Sequence, residues 1–186
     1  MKKEKIPGLL YPWLWIFGVI ALLAIGSIVN TCSAQTTINP DTVCVNAIGE
    51  IHFVTNTPTS TYQWTVLGGG GTIASGQGTN SITTDWGGVS GLYPNAVEVI
   101  ETNAANCPGT PILLDVYVLD LSGNVIGPFC PGDPTTPLVG NPLGGTWSGT
   151  GVVANAFQPS SVGVGNYILT YSMAGCNTTI NVVVNS

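Results

Sequence analysis

Two regimes of hydrophobic patterning divide the chain. From Leu14 to Val29 apolar and small residues follow one another, "LWIFGVIALLAIGSIV", behind a cationic head "MKKEK". Beyond them the apolar positions come in short, partly alternating runs: "TVCVNAI", "EIHFVT", "TYQWTVL", "NSITTDW", "NAVEVIE" and "ILLDVYVL". The series continues with "TPLVG", "GTWSG", "NAFQP", "NYILTYSM" and "TTINVVVN". Gly, Pro, Asn and Ser clusters separate the runs, and no window after the first segment holds a helical period. Many short strands punctuated by turns predict an all-β chain built as a β-sandwich.

The first segment has the layout of a secretory signal peptide. Small residues at Cys32 and Ala34, followed by Gln35, suit cleavage after Ala34 and give a leader of residues 1–34. Two alternatives stay open. Cleavage just before Cys32 would leave a lipidated cysteine, and an uncleaved leader would serve as an anchor, although a span usually needs about 20 apolar residues.

An internal repeat sets the domain boundary. "GTIASGQGTNSI" at 71–82 is echoed by "GTWSGTGVVANAF" at 145–157, which aligns Ile73 with Trp147. "WGGVSGLY", ending at Tyr93, is echoed by "SVGVGNY", ending at Tyr167. Two tandem sandwiches are expected, 35–120 and 121–186. Each copy opens on a cysteine and has another after its tyrosine, so the repeat predicts one bridge per module: Cys44 with Cys107 and Cys130 with Cys176. Four cysteines without Cys32 make an even set, as export to an oxidising compartment favours.

Charge narrows the partners. The three basic residues, Lys2, Lys3 and Lys5, all lie in the leader, while eight acids follow it: Asp41, Glu50, Asp85, Glu98, Glu101, Asp115, Asp120 and Asp133. Nucleic acid is excluded, because binding it requires cations that displace phosphate counterions. The mature chain is expected to keep off membranes as well, unless the leader stays or Cys32 is lipidated. Its apolar content is high enough for a core.

The phrases "YQWTVLGGGGTIASGQGTNSITTDWGGVSGLY" and "VEVIETNAANCPG" resemble the PKD-like, immunoglobulin-type repeats of Bacteroidota cell-surface and gliding-associated adhesins. "GPFCPGDPTTPLVGNPLGGTWSGTGVVANAFQPSSVGVGNYILTYSMAGC" resembles the companion immunoglobulin-like repeat. The resemblance implies two PKD-like or immunoglobulin-like sandwiches that present edges and loops for adhesion, with Trp64 where such strands bury a tryptophan against the disulfide. Pro94 departs from the pattern, and its strand is expected to start after it or to lie at an edge.

Candidate chemistry is sparse. His52, flanked by Ile51 and Phe53, reads as a strand position with one face toward solvent. Glu98 and Glu101 are expected on opposite faces of one strand, which does not make a glycosidase pair. No catalytic residue, cofactor site or metal site is assigned, and the chain is read as a non-enzyme; Asp120 is the place a weak calcium site would occupy. Trp86, beside "GG", is the candidate exposed aromatic for ligand contact. The function expected is that of an exported adhesion or structural module, in the periplasm, at the cell surface or outside the cell, with a protein or glycan there as partner. The alternatives are a small carbohydrate-binding accessory protein and a subunit that assembles through strand edges.

Overall fold

The computed structural model describes residues 40–186. The leader, its cleavage after Ala34 and Cys32 lie outside these residues. The regular structure of the described residues is all strand apart from one 3-10 turn at Pro159–Ser161. Its two hydrophobic clusters meet at the end of one strand: the first uses buried residues from Val43 to Val118, the second from Leu119 to Val184.

Around the first cluster run β1 (Asp41–Cys44), β2 (Glu50–Phe53), β3 (Thr61–Val66), β4 (Thr72–Ser75), β5 (Ser81–Asp85), β6 (Gly91–Thr102) and β7 (Ile112–Leu119). They form two sheets, ordered β1-β7-β6-β3 and β2-β5-β4. Alternation decides which side chains enter the space between them. Tyr62 and Trp64 of β3, Val97 and Val99 of β6, and Leu114, Val116 and Val118 of β7 are buried, as are Ile82 and Thr84 of β5. A period of two on each strand gives one apolar face per sheet, and packing these faces removes that surface from water. β1 runs parallel to β7, Asp41 opposite Val116 and Cys44 opposite Leu119, so the first described strand lies beside the last strand of this cluster.

Pro94 lies inside β6, and β6 is a central strand, so neither sequence expectation for it holds. The chain absorbs the proline in a bulge: Tyr93 faces Val116 and Val97 faces Leu114, with the intervening β6 residues out of register. Asn95 takes a left-handed conformation there, φ 54°, and its N–H donates to Asp115 Oδ1 at 2.8 Å. A bulge removes the ladder bond that proline could not have made.

The second cluster repeats this order in strands that are mostly shorter: β8 (Ser122–Gly123), β9 (Thr136–Pro137), β10 (Gly140–Asn141), β11 (Thr146–Ser148), β12 (Val152–Val153), β13 (Ala156–Phe157), β14 (Gly165–Met173) and β15 (Cys176–Val184). β11-β14-β15 matches β3-β6-β7, and β12-β13-β9 matches β4-β5-β2. A parallel bridge from Phe129 to Val184 stands where β1 meets β7. Here β8 also pairs with β10, along the edge that continues β9.

The strand order corrects one alignment. Trp147 is on β11 and pairs with β14 as Trp64 on β3 pairs with β6, so Trp147 is the counterpart of Trp64 and not of Ile73, which lies on β4. The two tyrosines do correspond. Each is the third residue of its strand, and each donates its O–H to a carbonyl four residues upstream, Tyr93 to Val89 at 3.1 Å and Tyr167 to Gly163 at 2.8 Å. This is the tyrosine corner of immunoglobulin-type sandwiches, which pins the turn entering the strand.

Candidate functional site

The structure joins Cys44 to Cys176, with Cα atoms 5.5 Å apart, and leaves Cys107 and Cys130 as exposed thiols. Both pairings expected from the repeat are thereby corrected. Cys107 follows β6 in a surface turn, held by Asn103 Oδ1, which accepts from the N–H groups of Ala105 and Cys107. Cys44 ends β1 at the opposite end of β7, opposite Leu119, a strand's length away from that turn. A disulfide cannot bridge Cα atoms more than about 7 Å apart. Cys44 is instead packed against the second cluster with Tyr117, close to Cys176 at the start of β15. Cys130 sits next to Phe129, which pairs with Val184 at the far end of β15, so the length of that strand separates Cys130 from Cys176.

Trp86 is buried at 4 % exposure, which corrects its assignment as an exposed ligand contact. The run Gly68–Gly71 explains the burial. A Cβ at Gly69 or Gly71 would stand 2.8 or 2.9 Å from the indole, so only glycine lets the backbone close over that ring. Tryptophan beside glycines reads as an exposed platform until one sees that the glycines of another segment are its lid.

His52 is also buried, at 1 %, and not half-exposed as its neighbours suggested. Strand β2 is inverted relative to its hydrophobicity: His52 points inward while Ile51 and Phe53 point out. Its imidazole is held by polar contacts. Nε2 lies 3.0 Å from Thr84 Oγ1, and Nδ1 lies 3.3 Å from Asp41 Oδ2, within ion-pair distance but not aligned as a hydrogen bond. Trp86 packs edge-on at 6.1 Å. Acid, imidazole and hydroxyl thus follow in the order of a hydrolase triad, but Thr84 is wholly buried and no substrate can reach its oxygen. The constellation ties β1 to two strands of the opposite sheet, β2 and β5.

The acids act as local anchors. Asp85 Oδ1 accepts from Gly49 N–H at 2.9 Å, Asp133 Oδ2 from Cys130 N–H at 2.7 Å, and Asp115 from Asn95. Among the described residues no three His, Cys, Asp or Glu side chains converge in a group that could hold a metal ion.

What faces outward is strand edge. On β3, an edge strand, Gln77 caps the outward backbone groups of Trp64: Oε1 accepts from Trp64 N–H at 2.8 Å and Nε2 donates to Trp64 C=O at 2.7 Å. Asn155 Oδ1 accepts from Trp147 N–H at 2.8 Å on β11. Side-chain amides thus occupy backbone groups that a foreign strand would otherwise use. On β2 the edge is open among the described residues. Val54 N–H donates to Asn80 C=O, so residues 50, 52 and 54 bond toward β5, while Ile51 and Phe53 turn their N–H and C=O away from it. Ile51 is 62 % exposed.

No curated protein matches the chain. Similar solved structures include extracellular domains 3–5 of Drosophila OTK, at 14% identity, covering 83% of this chain and 61% of that one, with a TM-score of 0.37. The insect immune protein hemolin is similar at 11% identity, covering 83% of this chain and 46% of that one, TM-score 0.38. The fibronectin(III)-like modules of Clostridium thermocellum CbhA match at 10% identity, covering 83% and 94%, TM-score 0.38. The chain thus spans less than two thirds of the first two. A formed disulfide fits a compartment other than the cytoplasm. The family model described as a PKD-like domain matches residues 29–112 of this chain.

Proposed function

We propose that the chain is an exported, non-enzymatic module of adhesion or surface structure, made of two tandem sandwiches, 35–120 and 121–186, behind a leader cleaved after Ala34. The observation that carries the reading is the Cys44–Cys176 bridge between two clusters of the same strand order. It fastens the end of β1 to the start of β15 at the point where Tyr117 and Leu119 enter the second cluster, which stiffens the junction. The absence of Lys and Arg after the leader fits a partner other than nucleic acid.

The carbohydrate-binding alternative rested on Trp86, and its burial removes that support. Assembly through strand edges keeps an observation in its favour, the open edge of β2.

Export is tested by labelling intact cells of the native host with a membrane-impermeant maleimide, followed by mass spectrometry. Labelling of Cys107 and Cys130 on intact cells is expected. Labelling only after lysis, with the protein in the cytosol, would overturn the reading.

A further inference from the structure

The two bridged cysteines and the two free ones occupy the same two places in the repeated strand order. With the corner tyrosines as fixed points, Tyr93 faces Val116 and Tyr167 faces Val182, so Val118 corresponds to Val184. Val43 faces Val118 and Phe129 faces Val184, both buried, which makes Cys130 the counterpart of Cys44. Cys107 is the counterpart of Cys176, since each closes a hairpin, β6–β7 or β14–β15. Asn103 N–H donates to Cys107 C=O at 3.1 Å, and Met173 faces Cys176.

The bridge thus joins the first-strand cysteine of one cluster to the hairpin cysteine of the next. Left over are the hairpin cysteine of the first cluster and the first-strand cysteine of the second, both exposed. They cannot reach each other. Cys107 precedes the start of β7 and Cys130 lies by the end of β15, each remote from the Cys44–Cys176 junction, and a disulfide requires Cα atoms within about 7 Å.

We propose that the chain joins head to tail with further copies of itself, Cys130 of one copy bonding to Cys107 of the next, so that the Cys44–Cys176 bridge is repeated between molecules. The proposal rests on the tandem reading of the two clusters. The apolar part of the junction is not repeated at the free ends. Where Tyr117, Leu119 and Met173 pack into the second cluster, the same register places Val183, Asn185 and Asn103. Little apolar surface is left to hold two copies together, so the disulfide must do it, and assembly follows the redox state. The step is thiol–disulfide exchange with a small disulfide such as oxidised glutathione. The Cys130 thiolate attacks the donor, forming a mixed disulfide and releasing one thiolate; the Cys107 thiolate of another copy attacks Cys130 Sγ and releases the second. Two protein thiols together lose two electrons, the donor disulfide is reduced to two thiols, and the two protein protons pass to them. Unjoined copies and both ends of every oligomer keep reactive thiols.

The test adds oxidised glutathione to the concentrated chain, with Cys107→Ser and Cys130→Ser beside it, and reads non-reducing gels and peptide maps. The wild type should give a ladder beyond the dimer, which mild reductant returns to monomer while the bridge to buried Cys176 survives. Either serine variant alone should remain mostly monomeric, and their equimolar mixture should give dimers held by Cys107–Cys130. Random collision makes unlike and like thiol pairs in equal amounts, so the wild-type map should show unlike pairs in at least about fivefold excess. A wild type that stays monomeric with both thiols capped by glutathione would overturn the proposal. So would unlike pairs no commoner than like ones, bonds to Cys32, or a Cys107–Cys130 bond within one copy. None of these results bears on export, which the intact-cell labelling tests separately.

Discussion

Cys44 and Cys176, 132 residues apart in sequence, are joined at the junction of the two clusters, so the first described strand is covalently fastened to the last. In the chain-entropy model, closing a loop of that size removes about 5 kcal/mol of unfolded-state freedom, an upper value because native strain and residual structure reduce it. Cys176→Ser, compared with wild type under non-reducing conditions, should lower stability by about 2–5 kcal/mol in urea. Tryptophan fluorescence can assign the loss, because Trp64 and Trp86 lie in the first cluster and Trp147 in the second. A variant as stable as wild type would show that the bridge adds nothing to the junction.

The two remaining thiols should be reactive. Alkylation of the native, unreduced protein followed by peptide mapping is expected to mark Cys107 and Cys130 and to leave Cys44 and Cys176 as one crosslinked peptide pair. Recovery of a Cys44–Cys107 or Cys130–Cys176 peptide would contradict this connectivity.

The tyrosine corners offer a matched pair of probes. Tyr93→Phe and Tyr167→Phe each delete one side-chain hydrogen bond to a carbonyl while keeping the ring. Each should destabilise by about 0.5–1.5 kcal/mol, read from denaturation midpoints at unchanged slope. The sites share no hydrogen-bond partner and lie in separate clusters, so the double variant should show the sum within about 0.5 kcal/mol.

Gln77 is expected to guard an edge as well as stabilise it. Gln77→Ala removes both hydrogen bonds to Trp64 and uncovers its N–H and C=O on β3. Stability should fall by about 1–3 kcal/mol, and light scattering should detect oligomers at concentrations where wild type has none. Gln77→Glu keeps the acceptor for Trp64 N–H but loses the donor and brings a charge to the edge, so its oligomers should be fewer than those of Gln77→Ala.

The sequence by itself determined the strands, their all-β class and the tyrosine correspondence, because these depend on local alternation, turn residues and short repeats. Each apolar run quoted after the leader contains or overlaps a strand, and "SGLY" and "VGNY" carry the corner tyrosines to matching places. Packing across the two sheets decided what alternation cannot encode. His52 reads as a half-exposed polar residue between two apolar ones, yet the register of β2 against β5 turns the imidazole in and the apolar neighbours out, where Thr84 and Asp41 meet it. Trp86 is covered by glycines some 15 residues upstream, a relation only the folded chain creates. Bridge connectivity was decided in the same way: the repeat placed cysteines at equivalent phases, but a disulfide requires proximity, and the parallel pairing of β1 with β7 carries Cys44 away from Cys107 and to Cys176.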